Sequence, residues 1–245
     1  MRTKVLVLEG HIDTWQSVTF ILSGATKRKE EQDMDNFIIA VTRTCGGGAT
    51  AISKILASRY HISLYDRKLL QLASDDSGIS EKIFAAADET TRQSLLYKVS
   101  KRVYNGEIIP PESNDFTSND NLFAFQAKVL KELAEKESYI CIGRGADYIL
   151  KDYPRVLKVF LYADPEFCIN KEMNRMGYSY DEARRYVFKT DQYRSGYYKY
   201  HTGREWKNPY NYDLCLNTGR LTREQAADLI MHYVSMRFGV PVPED

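Results

Sequence analysis

Arg43-Thr-Cys-Gly-Gly-Gly-Ala-Thr50 is the stretch of this chain best suited to handling phosphate. Gly46, Gly47 and Gly48 let backbone N–H groups close around phosphate oxygens, and a helix starting just after them adds the positive end of its dipole. The full phosphate-loop pattern ends in Gly-Lys-Ser/Thr, where the lysine reaches the β- and γ-phosphates and the hydroxyl binds Mg²⁺. Here the lysine position holds Ala49, with Thr50 next. Taken alone, such a loop is as readily a tight turn. Other charged groups stand at comparable places: Asp66-Arg67 and Gly143-Arg144 each follow a short apolar run. Residues 178–212 hold nine of the 18 tyrosines, interleaved with Arg184, Arg185, Lys189, Arg194, Lys199, Arg204 and Lys207. That segment is open to three readings: a stacking surface for nucleic acid, a lid whose arginines close over a transferring phosphoryl group, or a solvated helix with its tyrosines on the sheet.

These residues need elements to position them, and the apolar pattern supplies an alternation of strands and helices. Phe37-Ile-Ile-Ala-Val-Thr42 reads as a strand, followed by a helix with Ile52, Ile55, Leu56 and Tyr60 on one face. His61-Ile-Ser-Leu-Tyr65 reads as a second strand. A mostly helical stretch then runs to about Lys136 and ends on the apolar face of Phe123, Val129, Leu130 and Leu133. Ser138-Tyr-Ile-Cys-Ile142 and Val156-Leu-Lys-Val-Phe-Leu161 are the central-strand candidates. Asp164-Pro165 opens a helix as N-cap and first residue, and Ser179-Tyr-Asp-Glu182 is a capping box that opens another. Asp213-Leu-Cys-Leu-Asn217 is a last strand; Thr222-Arg-Glu-Gln225 caps a final helix with Ala226, Leu229, Ile230 and Tyr233 on one face. Such alternation implies an α/β fold with a mainly parallel sheet. Ligands of open sheets bind beyond the carboxyl ends of the strands, where the glycine loop, Asp66-Arg67 and Gly143-Arg144 all fall.

Composition sets the outer bounds. The 245 residues, 43% hydrophobic and 27% charged, suit one large or two small soluble domains. A formal net charge of +1 gives no global pull toward nucleic acid or anionic membranes. No apolar run approaches the ~20 residues that span a bilayer, and Val5-Leu-Val-Leu8 is too short for a signal-peptide core. Cys45, Cys141, Cys168 and Cys215 lie far apart in no zinc-binding spacing, which fits buried reduced thiols in a cytoplasmic protein. The charged run Lys27-Arg-Lys-Glu-Glu-Gln-Asp33 divides residues 1–33, read as an N-terminal extension, from a functional domain over 34–245 that opens at Met34.

Several blocks resemble the cytidylate kinase-like family of bacterial P-loop proteins, relatives of the nucleoside monophosphate kinases. Thr42-Arg43 through Gly48 is similar to that family's Ser-Arg and glycine loop, and Tyr65-Asp66-Arg67 with Leu69 to its Tyr-Asp-Arg-x-Leu. Ala87-Asp88-Glu89 resembles its Ala-Asp-Glu, and Cys141-Ile-Gly-Arg-Gly-Ala-Asp147 its Val-Gly-Arg-x-Ala-Asp. Lys189-Thr-Asp-Gln-Tyr-Arg194, Tyr197-Tyr198, Trp206 and Tyr212-Asp-Leu-Cys-Leu-Asn-Thr218 continue the likeness, which covers residues 37–238.

The resemblance implies a three-layer P-loop fold with a parallel sheet flanked by helices, a lid and acceptor-binding helical segments. It also implies ATP with Mg²⁺ as donor, nucleotides as partners, and phosphoryl transfer to a CMP-like acceptor. Position by position, Arg144 would hold the acceptor phosphate and Asp147 its ribose or base, with Asp66 and Arg67 lining the same pocket. A planar guanidinium suits the first task because it grips phosphate oxygens bidentately. In the lid, Arg194 would neutralise charge on the transferred phosphoryl group, Asp191 would orient the lid, and Lys189 would be a secondary cation. Arg43, Gly46, Gly47, Gly48, Ala49 and Thr50 would form the donor loop. There the chain departs from the pattern. Monophosphate kinases carry lysine at the place of Ala49, and the cytidylate kinase-like family puts a basic residue at that of Thr50. The implied alternative to a weak kinase is a nucleotide binder without turnover.

Overall fold

The computed structural model describes residues 36–66 and 119–243. Ile38–Arg43 (β1) is a run of apolar and β-branched residues, and Ile38, Ile39, Ala40 and Val41 are all buried. Such two-sided burial is what a central strand of a parallel sheet requires. Its neighbours are Tyr139–Ile142 (β3) and Val156–Tyr162 (β4), in register Ile39↔Ile140 and Ile39↔Leu157. Ser63–Tyr65 (β2) adds outside β3 and Leu214–Asn217 (β5) outside β4, so the order is β2-β3-β1-β4-β5 with every pair parallel.

Period-2 alternation sends β1 side chains to two cores. Ile38 and Ala40 join Tyr139, Cys141 and the apolar face of Asn119–Ala134 (α2), which offers Phe125, Val129, Leu130 and Leu133. Ile39 and Val41 face the other way, onto Ala49–Tyr60 (α1) through Ile52 and Leu56, and onto Arg223–Phe238 (α6) through Ala226, Ile230 and Val234. Helix, sheet and helix therefore form three layers, the expected α/β architecture.

The connections after β1 and β4 depart to opposite sides of the sheet, leaving a crevice at their carboxyl ends. A short helix, Ala146–Ile149 (α3), follows β3. After β4 come Pro165–Met176 (α4) and the 23-residue Tyr180–Thr202 (α5), then a 3₁₀ turn at Pro209–Asn211. Both capping boxes form: Ser179 and Glu182 exchange hydrogen bonds at the start of α5, as do Thr222 and Gln225 at α6. Asp164 has extended N-cap backbone with Pro165 first in the helix, but its side chain makes no capping bond.

Leu229 departs from expectation: it is 48% exposed. On the helical wheel it sits about 60° behind Ala226, whereas the buried stripe runs the other way through Ala227 and Met231. Cys45, Cys141 and Cys168 are buried free thiols, but Cys215 is exposed on the edge strand β5. Residues 1–33, Arg67, Leu69 and the Ala87-Asp88-Glu89 block lie outside the described residues. No described helix is long and apolar enough to cross a membrane.

Candidate functional site

The glycine loop starts where β1 ends. Thr44 N–H donates to Leu161 O at 3.0 Å, turning the chain out of the sheet toward α1. Gly46 is left-handed at φ +77 and presses on α4: a Cβ there would lie 2.7 Å from the Cα and carbonyl oxygen of Cys168. Gly48, also left-handed, caps α1. From the far end of β5, Thr218 Oγ1 donates to Gly47 O at 3.0 Å and braces the loop. Ala49 is 3% exposed and belongs to the core under α1, whereas Thr50 stands exposed in the first turn. The Cys45 thiol is pushed up to about 11, chiefly by burial and then by Glu172, and stays protonated at neutral pH.

A second feature sits at the ends of β1 and β3, where Gly143, Arg144 and Gly145 are left-handed in succession at φ +79, +60 and +67. Gly143 leaves room for the Arg43 guanidinium, which a Cβ would strike. Arg144 is the informative one, because a left-handed side-chain-bearing residue costs roughly 1–2 kcal/mol and such strain gathers at functional sites. Its guanidinium lies 6.0 Å from the centroid of Tyr197, and its Nε is buried without a hydrogen-bond partner.

A cavity of about 500 Å³ opens here. Arg43 and Arg144 line it from the sheet; Lys189 and Arg194 line it from α5. The α5 wall also presents Tyr186, Tyr193 and Tyr197, spaced seven and four residues apart and so on one helical face. Helix α5 closes back onto the loop through two residues. Asp191 Oδ1 accepts from Cys45 N–H at 2.7 Å, and Arg194 Nη1 reaches Asp191 Oδ1 and Arg43 O, both at 3.4 Å. Burial raises the Asp191 carboxyl above its ordinary value, opposed by Cys45 N–H and Arg194.

The site expected from the sequence therefore divides in two. Arg43, Arg144, Lys189 and Arg194 converge on the cavity. Gly46, Gly47, Gly48, Ala49 and Thr50 form the neighbouring loop and do not line that cavity. Asp66 follows β2 and is not among the lining residues either. Asp147 is buried beneath the cavity at 3% exposure, taking hydrogen bonds from Tyr198 Oη at 2.6 Å and Thr42 Oγ1 at 3.4 Å. Sequence reasoning gave no individual role to Tyr186, Tyr193, Tyr197, Tyr198, Thr218 or the Cys45 N–H. The tyrosine face was readable: the capping box at Ser179 sets the helix start, and the 3.6-residue period then groups 186, 193 and 197. Among the described residues no cluster of His, Cys, Asp and Glu is placed to hold a metal ion.

The sequence profile of the cytidylate kinase-like family matches residues 38–220. No curated protein matches the chain. Among solved structures, an uncharacterized protein from Eubacterium ventriosum is 24% identical, with 82% of this chain and 100% of that one covered and a TM-score of 0.63. That likeness is one of fold. Shikimate kinase from Bacteroides thetaiotaomicron is 16% identical over 81% of this chain and 98% of its own, at a TM-score of 0.45. A gluconokinase from Sinorhizobium meliloti is 13% identical over 85% and 99%, at 0.43.

Proposed function

From the premise that this chain belongs to the cytidylate kinase-like family, we propose that it transfers the γ-phosphoryl group of ATP to a nucleoside monophosphate such as CMP. The observation that carries this reading is the convergence of Arg43, Arg144, Lys189 and Arg194, from a strand, a turn and a helix, on one cavity. Phosphoryl transfer needs little covalent chemistry from a protein and depends on positioning and charge stabilisation. In this reading a phosphate oxygen of the acceptor attacks γ-phosphorus in line, and the bond from γ-phosphorus to the bridging oxygen breaks. Arg144 and Arg43 hold the acceptor phosphate on the sheet side, with Asp66 following the neighbouring strand β2. Arg194 and Lys189 meet the transferred group from the lid, and Asp191 sets the lid against the loop.

Gly46, Gly47, Gly48 and the start of α1 would cradle the donor phosphates. Mg²⁺ bound with ATP would neutralise phosphate charge, and the exposed Thr50 hydroxyl in the first turn is the group in the loop suited to it. Mg²⁺ keeps several waters and phosphate oxygens as ligands, so one hydroxyl is a sufficient protein contribution. The absent lysine should cost transition-state stabilisation comparable to one lost oxyanion donor, about 2.7–4 kcal/mol.

A second reading, a nucleotide binder without turnover, is favoured by a specific pair of observations. Ala49 is buried rather than aimed at the loop mouth, and Asp191 already takes the Cys45 N–H. One sample separates the two: calorimetric binding of ATP and CMP with and without Mg²⁺, followed by a coupled assay for nucleoside diphosphate. Turnover supports the kinase. Thermal stabilisation near 2.7 kcal/mol at 100 times Kd, without product, supports the binder. Absence of binding by both nucleotides removes both readings.

A further inference from the structure

Asp147 is a buried carboxylate that no step of the transfer uses, yet the strand and the helix that carry Arg43, Lys189 and Arg194 meet on it, in the short helix that follows the Arg144 turn. Tyr198 Oη reaches it from α5 at 2.6 Å, Thr42 Oγ1 from β1 at 3.4 Å, and Asp147 itself belongs to α3. Each of these residues adjoins a working part of the cavity. Thr42 precedes Arg43. Asp147 lies in the helix that Gly145 caps, directly after the strained Arg144. Tyr198 follows Tyr197, whose ring lies against Arg144, and comes one helical turn after Arg194. The Tyr198 ring is itself immobilised among Phe160, Trp206 and Tyr212. Engaged by two hydroxyls of its own chain, 3% exposed and outside the cavity lining, Asp147 presents little surface to a ribose or a base.

We propose that Asp147 is a positioning residue: through Tyr198 and Thr42 it latches α5 onto β1 and α3, and so fixes the spacing of Arg194 from Arg43 and Arg144. The latch is a property of the fold; its kinetic consequence rests on reading the cavity as the transfer site. This role replaces the contact with ribose or base that the family resemblance implies for Asp147. Misplacing a reacting group by 1 Å can cost about 10²-fold in rate, so Asp147 matters through Thr42 and Tyr198, which line the cavity, although it does not line the cavity itself.

The test uses the full-length chain as wild type, Tyr198→Phe, Asp147→Asn and Asp147→Ala. Tyr198→Phe keeps the ring and removes only the donor, so it reports even where Asp147→Ala fails to fold. Amide hydrogen exchange is followed in α5, with α4 and α6 as internal references. Losing a hydrogen bond to a buried carboxylate should speed exchange in α5 by about tenfold or more, with α4 and α6 unchanged. Asp147→Asn should stay within about twofold of wild type, because the carboxamide oxygen accepts from Tyr198 and its N–H donates to Thr42. With ATP and CMP, Tyr198→Phe should lower kcat about 10- to 100-fold while KM for CMP holds within about twofold. Unchanged exchange in α5, equal acceleration of all three helices, or loss of protection in Asp147→Asn overturns the latch. A raised KM with intact kcat in Asp147→Asn also overturns it, since it would mean that Asp147 touches the acceptor. If the wild type turns over no CMP, the kinase reading fails on its own and exchange alone decides the latch.

Discussion

The glycine loop and the neighbouring cavity both bend the backbone through left-handed residues, but to opposite ends. In the loop, left-handed Gly46 lets backbone approach backbone at Cys168, and the Thr218 hydroxyl donates to Gly47 O. What the loop presents is dipoles, one hydroxyl at Thr50 and no cation of its own beyond Arg43, which points into the cavity instead. In the cavity, left-handed backbone brings full charges together, because Gly143 admits the Arg43 guanidinium and Arg144 is itself left-handed. Charge-assisted hydrogen bonds are roughly twice as strong as neutral ones. In the proposed kinase, anion recognition would therefore be concentrated in the cavity and on α5, with the loop serving mainly as a shaped backbone. Asp191 and Arg194 join the two regions.

The contrast breaks if charge in the cavity proves dispensable. Arg194→Ala should lower turnover by about 10³-fold, the low end for an arginine that meets a transferring phosphoryl group, without a shift in Tm beyond a few degrees. A loss of tenfold or less, measured in the coupled assay, would mean that Arg194 braces the lid rather than serving the chemistry. Next in size is an effect on stability that separates two glycines of the same loop. Gly46→Ala meets both a left-handed backbone and the Cys168 backbone, and should cost about 2–5 kcal/mol. Gly48→Ala has the same handedness with open space around it, and should cost only about 1–2 kcal/mol. Urea unfolding of the two variants measures the difference; equal losses would remove the claim that the loop is shaped by packing on α4.

How much of this was legible depends on how far apart the deciding groups lie. Strands β1, β3 and β4 are short apolar runs, and the capping boxes at Ser179 and Thr222 are closed by residues three apart, so local pattern reveals them. The convergence of Arg43 and Arg144 follows from strand ends in a parallel sheet, and that of Lys189 and Arg194 from the family likeness. The family resemblance implies an acceptor contact for Asp147, but the hydrogen bond it takes from Tyr198, 51 residues away, is not legible in that block. The Asp191 contact with Cys45 N–H spans 146 residues, and no residue type announces a backbone donor. Ala49 illustrates the converse. Its identity was plain, yet only packing reveals that its methyl group belongs to the core.

Ala49→Lys would erase the difference between loop and cavity by giving the loop a cation. The expected gain is about tenfold in ATP affinity, the scale of one charge-assisted hydrogen bond. Placing a long stem where a buried methyl sits should cost about 1–3 kcal/mol of stability. Calorimetry and thermal unfolding of the same variant read both. Unchanged affinity would mean that a side chain leaving the buried Ala49 position does not reach a triphosphate on the loop, and the difference between loop and cavity would stand.

The smallest expected effect compares the two buried carboxylates, Asp147 under the cavity and Asp191 at the loop. Burial raises both carboxyls above the ordinary value of 3.8. Below that value each is protonated in the folded and the unfolded chain alike, and contributes no pH dependence. Between it and the raised folded value, only the folded chain holds the proton, so stability falls as pH rises. Above the folded value the loss is complete. Asp147→Asn and Asp191→Asn should therefore each gain stability over wild type as pH climbs from about 4, then level off. The gain should be larger for Asp147, which is 3% exposed, whereas the Asp191 side chain is 16% exposed and takes a backbone N–H at 2.7 Å. Thermal unfolding between about pH 4 and 8 measures the two differences. A larger gain for Asp191→Asn would reverse the contrast, because the loop and not the cavity floor would then be the place where the fold holds its least comfortable charge.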